Sequence, residues 1–129
     1  MDENELKELD ANKIKYTIVG SHALLLNGFR IKPNDIDVIV EKKDLEKAKS
    51  LLKDIEVYEG KPSGRFLTKE EYVKMFLQNH LTDDLMIEKL ARHAVDDPKI
   101  LELFDNTELM FMLESMKKDI ERKLAQPKK

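Results

Sequence analysis

The sequence predicts an α+β fold with an α/β-like core. Residues 1–67 are expected to form a small mixed β-sheet flanked by helices, and residues 68–129 a helical region packed on that core as one compact unit. Three observations predict it. The run at 14–19 is rich in β-branched and aromatic residues, and runs at 35–40 and 55–58 alternate with the period of two that marks strands. The segments between them carry helix caps and helical apolar spacing. From Thr68 onward strand alternation stops and 3.6-residue periodicity takes over.

Residues 2–12 read as a short helix, with Asp2 and Glu5 as a capping box and Leu6 and Leu9 as a narrow apolar stripe. The run from Ile14 is rich in β-branched and aromatic residues (Tyr16, Thr17, Ile18, Val19) and ends on Gly20, as a strand entering a tight turn does. Ser21 follows as an N-cap, and the apolar run behind it closes at Asn27-Gly28, giving a helix of about two turns with a glycine stop. His22 lies in its first turn; it reads as a partly exposed structural histidine, with reach to a bound phosphate as the alternative. Such a turn offers free backbone N–H groups and the positive end of a helix dipole, which together suit an anion.

Past Pro33, residues 35–40 read Asp-Ile-Asp-Val-Ile-Val. Period-two geometry puts Asp35 and Asp37 on one strand face and Ile36, Val38 and Val40 on the other. Carboxylates at i and i+2 have Cα atoms about 6.6 Å apart. At an effective dielectric near 20 they repel by roughly 2 kcal/mol unless water or a cation intervenes. A hard divalent ion with oxygen ligands fits, and magnesium commonly shares itself with substrate phosphates. A solvated strand face is the plainer alternative, although aspartate is poorly suited to strands. Arg30 and Lys32, between the turn and the acidic strand, have the chemistry to hold phosphate or a polyanion; a solvated loop explains them equally.

The order strand, Gly20-Ser21, short helix, thirteen intervening residues, then Asp35-Ile36-Asp37-Val38 resembles the signature of the nucleotidyltransferase superfamily of the DNA polymerase beta type. It is most similar to the minimal nucleotidyltransferases of bacteria and archaea, including those found as toxins or in defence systems, and covers about the first half of the chain. The resemblance implies a nucleotidyltransferase-like core in which the Gly20-Ser21 turn holds a triphosphate and Asp35 and Asp37 bind two magnesium (or manganese) ions. It implies transfer of a nucleoside monophosphate from a nucleoside triphosphate to an acceptor hydroxyl, with release of pyrophosphate. In the family a third carboxylate on a later strand completes the site; it is usually aspartate and often lies farther along the chain.

Asp44 is expected to cap a helix with Leu45, Ala48, Leu51 and Leu52 on one face. Residues 55–58 follow as the third strand, Ile55 and Val57 on one face, Glu56 and Tyr58 on the other. A strand–helix–strand order favours a parallel neighbour. Glu56 is therefore the best-placed third acid and metal ligand, a solvent-facing glutamate on an edge strand being the alternative. Residues 60–64 (GKPSG) form a turn or loop, and residues 65–67 a short hairpin strand.

Thr68 with Glu71 makes a capping box for a helix that turns Tyr72, Val73, Phe76 and Leu77 inward. Thr82 caps the next, with Asp83 and Asp84 in its first turn and Ile87, Leu90, Ala91 and Ala94 as its stripe. Asp97-Pro98 starts a third. Thr107 opens the last, where Leu109, Leu113, Met116, Ile120 and Leu124 are spaced by four, three, four and four. That seam packs on its own core; a homodimer through this helix is the second reading. Residues 126–129 read as a frayed tail.

Composition narrows the rest. The chain carries 23 Lys and Arg against 26 Asp and Glu, a net charge of −3 that disfavours a broad nucleic-acid surface. With no cysteine there are neither disulfides nor thiolate metal sites, and a reducing cytoplasm is the expected setting. No stretch is long and apolar enough to cross a membrane, and the acidic start does not read as a signal peptide. His22, His80 and His93 are not spaced as a metal motif, so zinc, serine and cysteine hydrolase chemistry finds no support. A glycosyltransferase with an Asp-x-Asp site does not account for the Gly-Ser turn. Two functions stay open: the enzyme, whose acceptor is RNA, protein or a small molecule, and a catalytically inactive nucleotide- or partner-binding module on the same fold.

Overall fold

The computed structural model describes residues 3–105 and 107–126. The Asp2 capping box and residues 127–129 of the expected tail lie outside them. The described residues pack as two units: those up to Gly28 together with Lys32–Tyr72, and Phe29–Ile31 together with those from Val73 onward.

The first unit is built on a three-stranded sheet of order β1-β2-β3, with β1 (Tyr16–Val19) antiparallel to β2 (Asp37–Val40) and β2 parallel to β3 (Glu56–Glu59). Alternation decides which face is dry. Ile18, Ile36, Val38, Val40, Ile55 and Val57 point to one side, where Leu6, Leu9, Ala48 and Leu52 meet them in a buried cluster. Leu6 and Leu9 come from a 3-10 turn (Glu3–Leu6) and helix α1 (Lys7–Ala11). Ala48 comes from α3 (Leu45–Leu51), the crossover that the parallel β2–β3 pair requires. At roughly 1.5–3 kcal/mol per fully buried aliphatic side chain, this single-sided core fixes the strand register: a slip by one residue would turn Asp37 inward.

The three expected strands and the helices between them form, and several of their ends move. Asp35 precedes β2 instead of lying in it, although Glu56 N–H donates to the Ile36 carbonyl (3.3 Å), so the pairing reaches one residue beyond the assigned strand. Ser21 is not an N-cap. Helix α2 (Gly20–Leu26) begins directly after extended Val19 with no side-chain cap, because Gly20 at φ +66° makes the bend itself. The predicted stop holds: Gly28 sits at φ +96°, and Asn27 Nδ2 donates to the carbonyls of Ala23 (2.7 Å) and Leu67 (2.8 Å). Asp44 makes no side-chain cap, because a 3-10 turn (Lys42–Asp44) leads into α3 in its place.

Residues 65–67 do not form a hairpin. Phe66 bridges Ile18 in parallel, with Ile18 N–H donating to the Arg65 carbonyl (2.8 Å) and Leu67 N–H to the Ile18 carbonyl (3.0 Å). A hairpin needs antiparallel neighbours, and this segment arrives beside β1 only after the β3 strand and the 60–64 loop. The Thr68–Glu71 capping box forms as expected at the start of α4 (Lys69–Asn79): Glu71 N–H donates to Thr68 Oγ1 (3.1 Å), and Thr68 N–H to Glu71 Oε1 (3.0 Å).

After Leu67 the regular structure of the described residues is all helical. Helix α5 (Asp84–Asp96) buries Ile87, Leu90, Ala91 and Ala94, but its cap is Asp83, whose carboxylate accepts from Met86 N–H (3.3 Å), and not Thr82. Asp97 starts α6 (Lys99–Leu103) by accepting from Lys99 N–H (3.1 Å). Thr107 does not cap α7 (Leu109–Ala125); its hydroxyl turns back and donates to the Phe104 carbonyl (2.6 Å). Phe76 and Phe104 meet edge to face, ring centroids 5.7 Å apart, and Ile100, Leu109 and Leu113 are also buried. No helix of the described residues is long and apolar enough to cross a membrane.

Candidate active site

The second face of the sheet carries the acids beside the buried Val19, Thr17 and Ile39. Register places Val19 opposite Asp37 and Asp37 beside Glu56, then Thr17 opposite Ile39 and Ile39 beside Tyr58. Paired residues on neighbouring strands share a face, so Asp37, Glu56 and Tyr58 all emerge on the side away from the aliphatic cluster. This is the arrangement on which the third acid depends: Glu56 does not face the far side of the sheet. Neighbouring strands lie about 4.8 Å apart, closer than the i, i+2 spacing along one strand. At an effective dielectric near 20, two charges at that spacing repel by roughly 3.5 kcal/mol. Exposed Glu56 is partly relieved by water, half-buried Asp37 less so.

Gly20 closes the site on the β1 side. A Cβ at this glycine would come within 3.1 Å of Asp37 Oδ2. The Asp37 carboxylate therefore borders the space that a side chain at position 20 would enter, and two features favour glycine there: the left-handed φ of +66° and this close approach. Ser21 is half-buried, inside the first turn. The β1 side of the same face is pinned by the 60–64 loop, where Ser63 N–H donates to Thr17 Oγ1 (2.6 Å) and that hydroxyl donates to the Gly64 carbonyl (2.8 Å).

Tyr58 records the field of the acids. Partial burial pushes its phenol pKa up first; the charges of Asp37, Glu56 and Asp35 then push it further in the same direction. Asp35, exposed and one step before β2, thus acts on the same neighbourhood without lying on the strand.

Of the two loop cations, Lys32 is exposed in the first unit. Arg30 packs with the second, its backbone N–H donating to Asp97 Oδ2 (2.9 Å). With Lys99 N–H on its other oxygen, Asp97 has its pKa lowered, the Arg30 backbone bond being the larger cause. His22 is buried, not partly exposed: neither ring nitrogen has a hydrogen-bond partner among the described residues, and Nε2 lies 3.7 Å from a Glu3 carboxylate oxygen.

Magnesium or manganese is what the acids would hold. Among the described residues no three His, Cys, Asp or Glu side chains stand at metal-holding spacing. Asp37 and Glu56 still fit such an ion as a pair, because magnesium is ordinarily bound through one or two carboxylates with phosphate oxygens and water completing its shell. Sequence reasoning passed over Tyr58, although the alternation that aimed Glu56 aims Tyr58 to the same side. No protein-family model, curated protein or solved structure matches the chain.

Proposed function

We propose that the chain is a metal-dependent nucleotidyltransferase, moving a nucleoside monophosphate from a nucleoside triphosphate to an acceptor hydroxyl. The observation that carries this reading is the register pairing of Asp37 with Glu56 beside the Gly20 turn. In it, Asp37 and Glu56, with the charge of Asp35 close by, would hold magnesium or manganese together with the phosphate oxygens and water. The bound ion would draw off charge that builds up at the α-phosphorus. The Gly20-Ser21 turn takes the β- and γ-phosphates on its backbone N–H groups and the Ser21 hydroxyl. Glu56 accepts the acceptor hydroxyl's proton as that oxygen bonds to the α-phosphorus. The bond from the α-phosphorus to its bridging oxygen breaks, and pyrophosphate leaves with the electron pair. The resemblance of the Gly20-Ser21 and Asp35–Asp37 motifs to the polymerase-beta-type nucleotidyltransferases supports the same reading.

A second reading, a binding module without transfer activity, is favoured by one observation: no three acids are gathered at metal-holding spacing among the described residues. Incubation with α-labelled triphosphates, magnesium and cell extract separates the two. The enzyme moves label to an acceptor, and Glu56→Gln abolishes transfer while largely sparing triphosphate binding. Triphosphate binding with no transferred label identifies the module.

A further inference from the structure

Tyr58 is two residues beyond Glu56 on β3, about 6.6 Å farther along the same face. The other tyrosine of the sheet, Tyr16, packs against the aliphatic cluster on the opposite side, whereas Tyr58 leaves 51% of its surface in water. An ordinary cross-strand role would have it cover Ile39, its register neighbour. Ile39 is already only 7% exposed, and Gly60 lies so close over it that a Cβ there would come within 3.1 Å of its side chain. Much of the phenol ring thus remains uncovered beside the acids.

The proposed function gives this surface a use. With the terminal phosphates at Gly20 and the α-phosphate over Asp37 and Glu56, the nucleoside lies on the rest of this face. There Tyr58 presents an exposed ring, about 6.6 Å from Glu56 along β3. We infer that Tyr58 is the platform on which the base of the bound triphosphate stacks, a role that rests on the nucleotidyltransferase reading. The site then binds purine nucleoside triphosphates more tightly than pyrimidine ones. Stacking needs only two π-faces, so it gains from ring area more than from the base's hydrogen-bonding pattern.

The test is calorimetric titration of the full chain with the magnesium complexes of ATP, GTP, UTP and inorganic tripolyphosphate, which has no base. Tyr58→Ala is expected to weaken ATP and GTP about tenfold, within the range that loss of one base–aromatic stack produces. It is expected to leave tripolyphosphate unchanged and to erase the preference of ATP over UTP. Tyr58→Phe keeps the ring and the wild-type affinities. Should Tyr58→Ala not fold, Tyr58→Leu keeps apolar bulk without a π-face and gives the same loss. The stack is overturned if the alanine variant binds ATP as wild type does, or if it weakens ATP and tripolyphosphate equally. If wild-type protein binds no magnesium tripolyphosphate, or if Asp37→Asn leaves that binding unchanged, the phosphate site itself is refuted, and the stack with it.

Discussion

Gly20 carries two demands at one position, and each has its own energetic signature. Its φ of +66° lies where an L side chain costs about 1–2 kcal/mol, and a Cβ added there would come within 3.1 Å of Asp37 Oδ2. Gly20→Ala should therefore lower stability by about 1–2 kcal/mol in urea unfolding and, by displacing the Asp37 carboxylate, also weaken magnesium–triphosphate binding. Gly28, at φ +96° with nothing among the described residues within 4 Å of an added Cβ, supplies the control. Gly28→Ala carries a similar backbone cost with no loss of binding. The backbone term is common to both, so equal binding for the two variants would remove Gly20 from the site. The sequence makes Gly20 legible as a turn, but not as the neighbour of Asp37. That contact joins residues seventeen apart and exists only once β1 and β2 pair in their observed register.

Among the elements, α4 and α7 separate what local chemistry fixes from what packing fixes. The Thr68–Glu71 box is legible because both partners lie within one turn, and the structure closes both of its hydrogen bonds. Thr68→Ala should cost about 1 kcal/mol. Glu71 has its pKa lowered, chiefly by the Thr68 backbone N–H and then by the Ser63 hydroxyl at 2.7 Å. A carboxylate with a lowered folded pKa contributes stability that is fully present above its unfolded value, about 4.5, and is lost as the pH falls through the folded value. Thermal unfolding between pH 6 and pH 3 should show a shallower acid decline for Glu71→Gln, which keeps an acceptor for the Thr68 N–H but no longer titrates, than for wild type. In α7 the Leu109-to-Leu124 seam reads as one stripe, yet it divides. Leu113 is fully buried, while Leu124 is 71% exposed. Leu113→Ala should cost about 2–5 kcal/mol by urea unfolding, and Leu124→Ala no more than about 0.5 kcal/mol. Equal costs would mean that the seam is covered along its length, as a dimer would cover it.

Across the molecule, the change from alternating to helical periodicity at Thr68 foretold the α+β architecture, because burial on one sheet face dictates that alternation. The parallel β2–β3 pair was legible too, from the helix that joins the strands. The end positions were not: Ser21, Asp44, Thr82 and Thr107 all carry capping chemistry, and backbone geometry or a neighbouring residue takes the place of each. At the site, alternation gave the facing of Asp37 and Glu56, whereas their adjacency came from register, which pairs residues nineteen apart. Asp35 shows the limit of such reading, since the Asp-Ile-Asp pattern continues beyond the point where the strand begins. In the proposed function Asp37, beside Glu56 and near Gly20, anchors a metal-borne triphosphate. Calorimetric titration of wild type and Asp37→Asn with ATP, in magnesium and again in chelator, tests it most directly. Magnesium-dependent binding to wild type is expected, and its loss by tenfold or more in Asp37→Asn, about 1.4 kcal/mol at the least. Binding that is independent of magnesium, or equal for the two proteins, would contradict the claim.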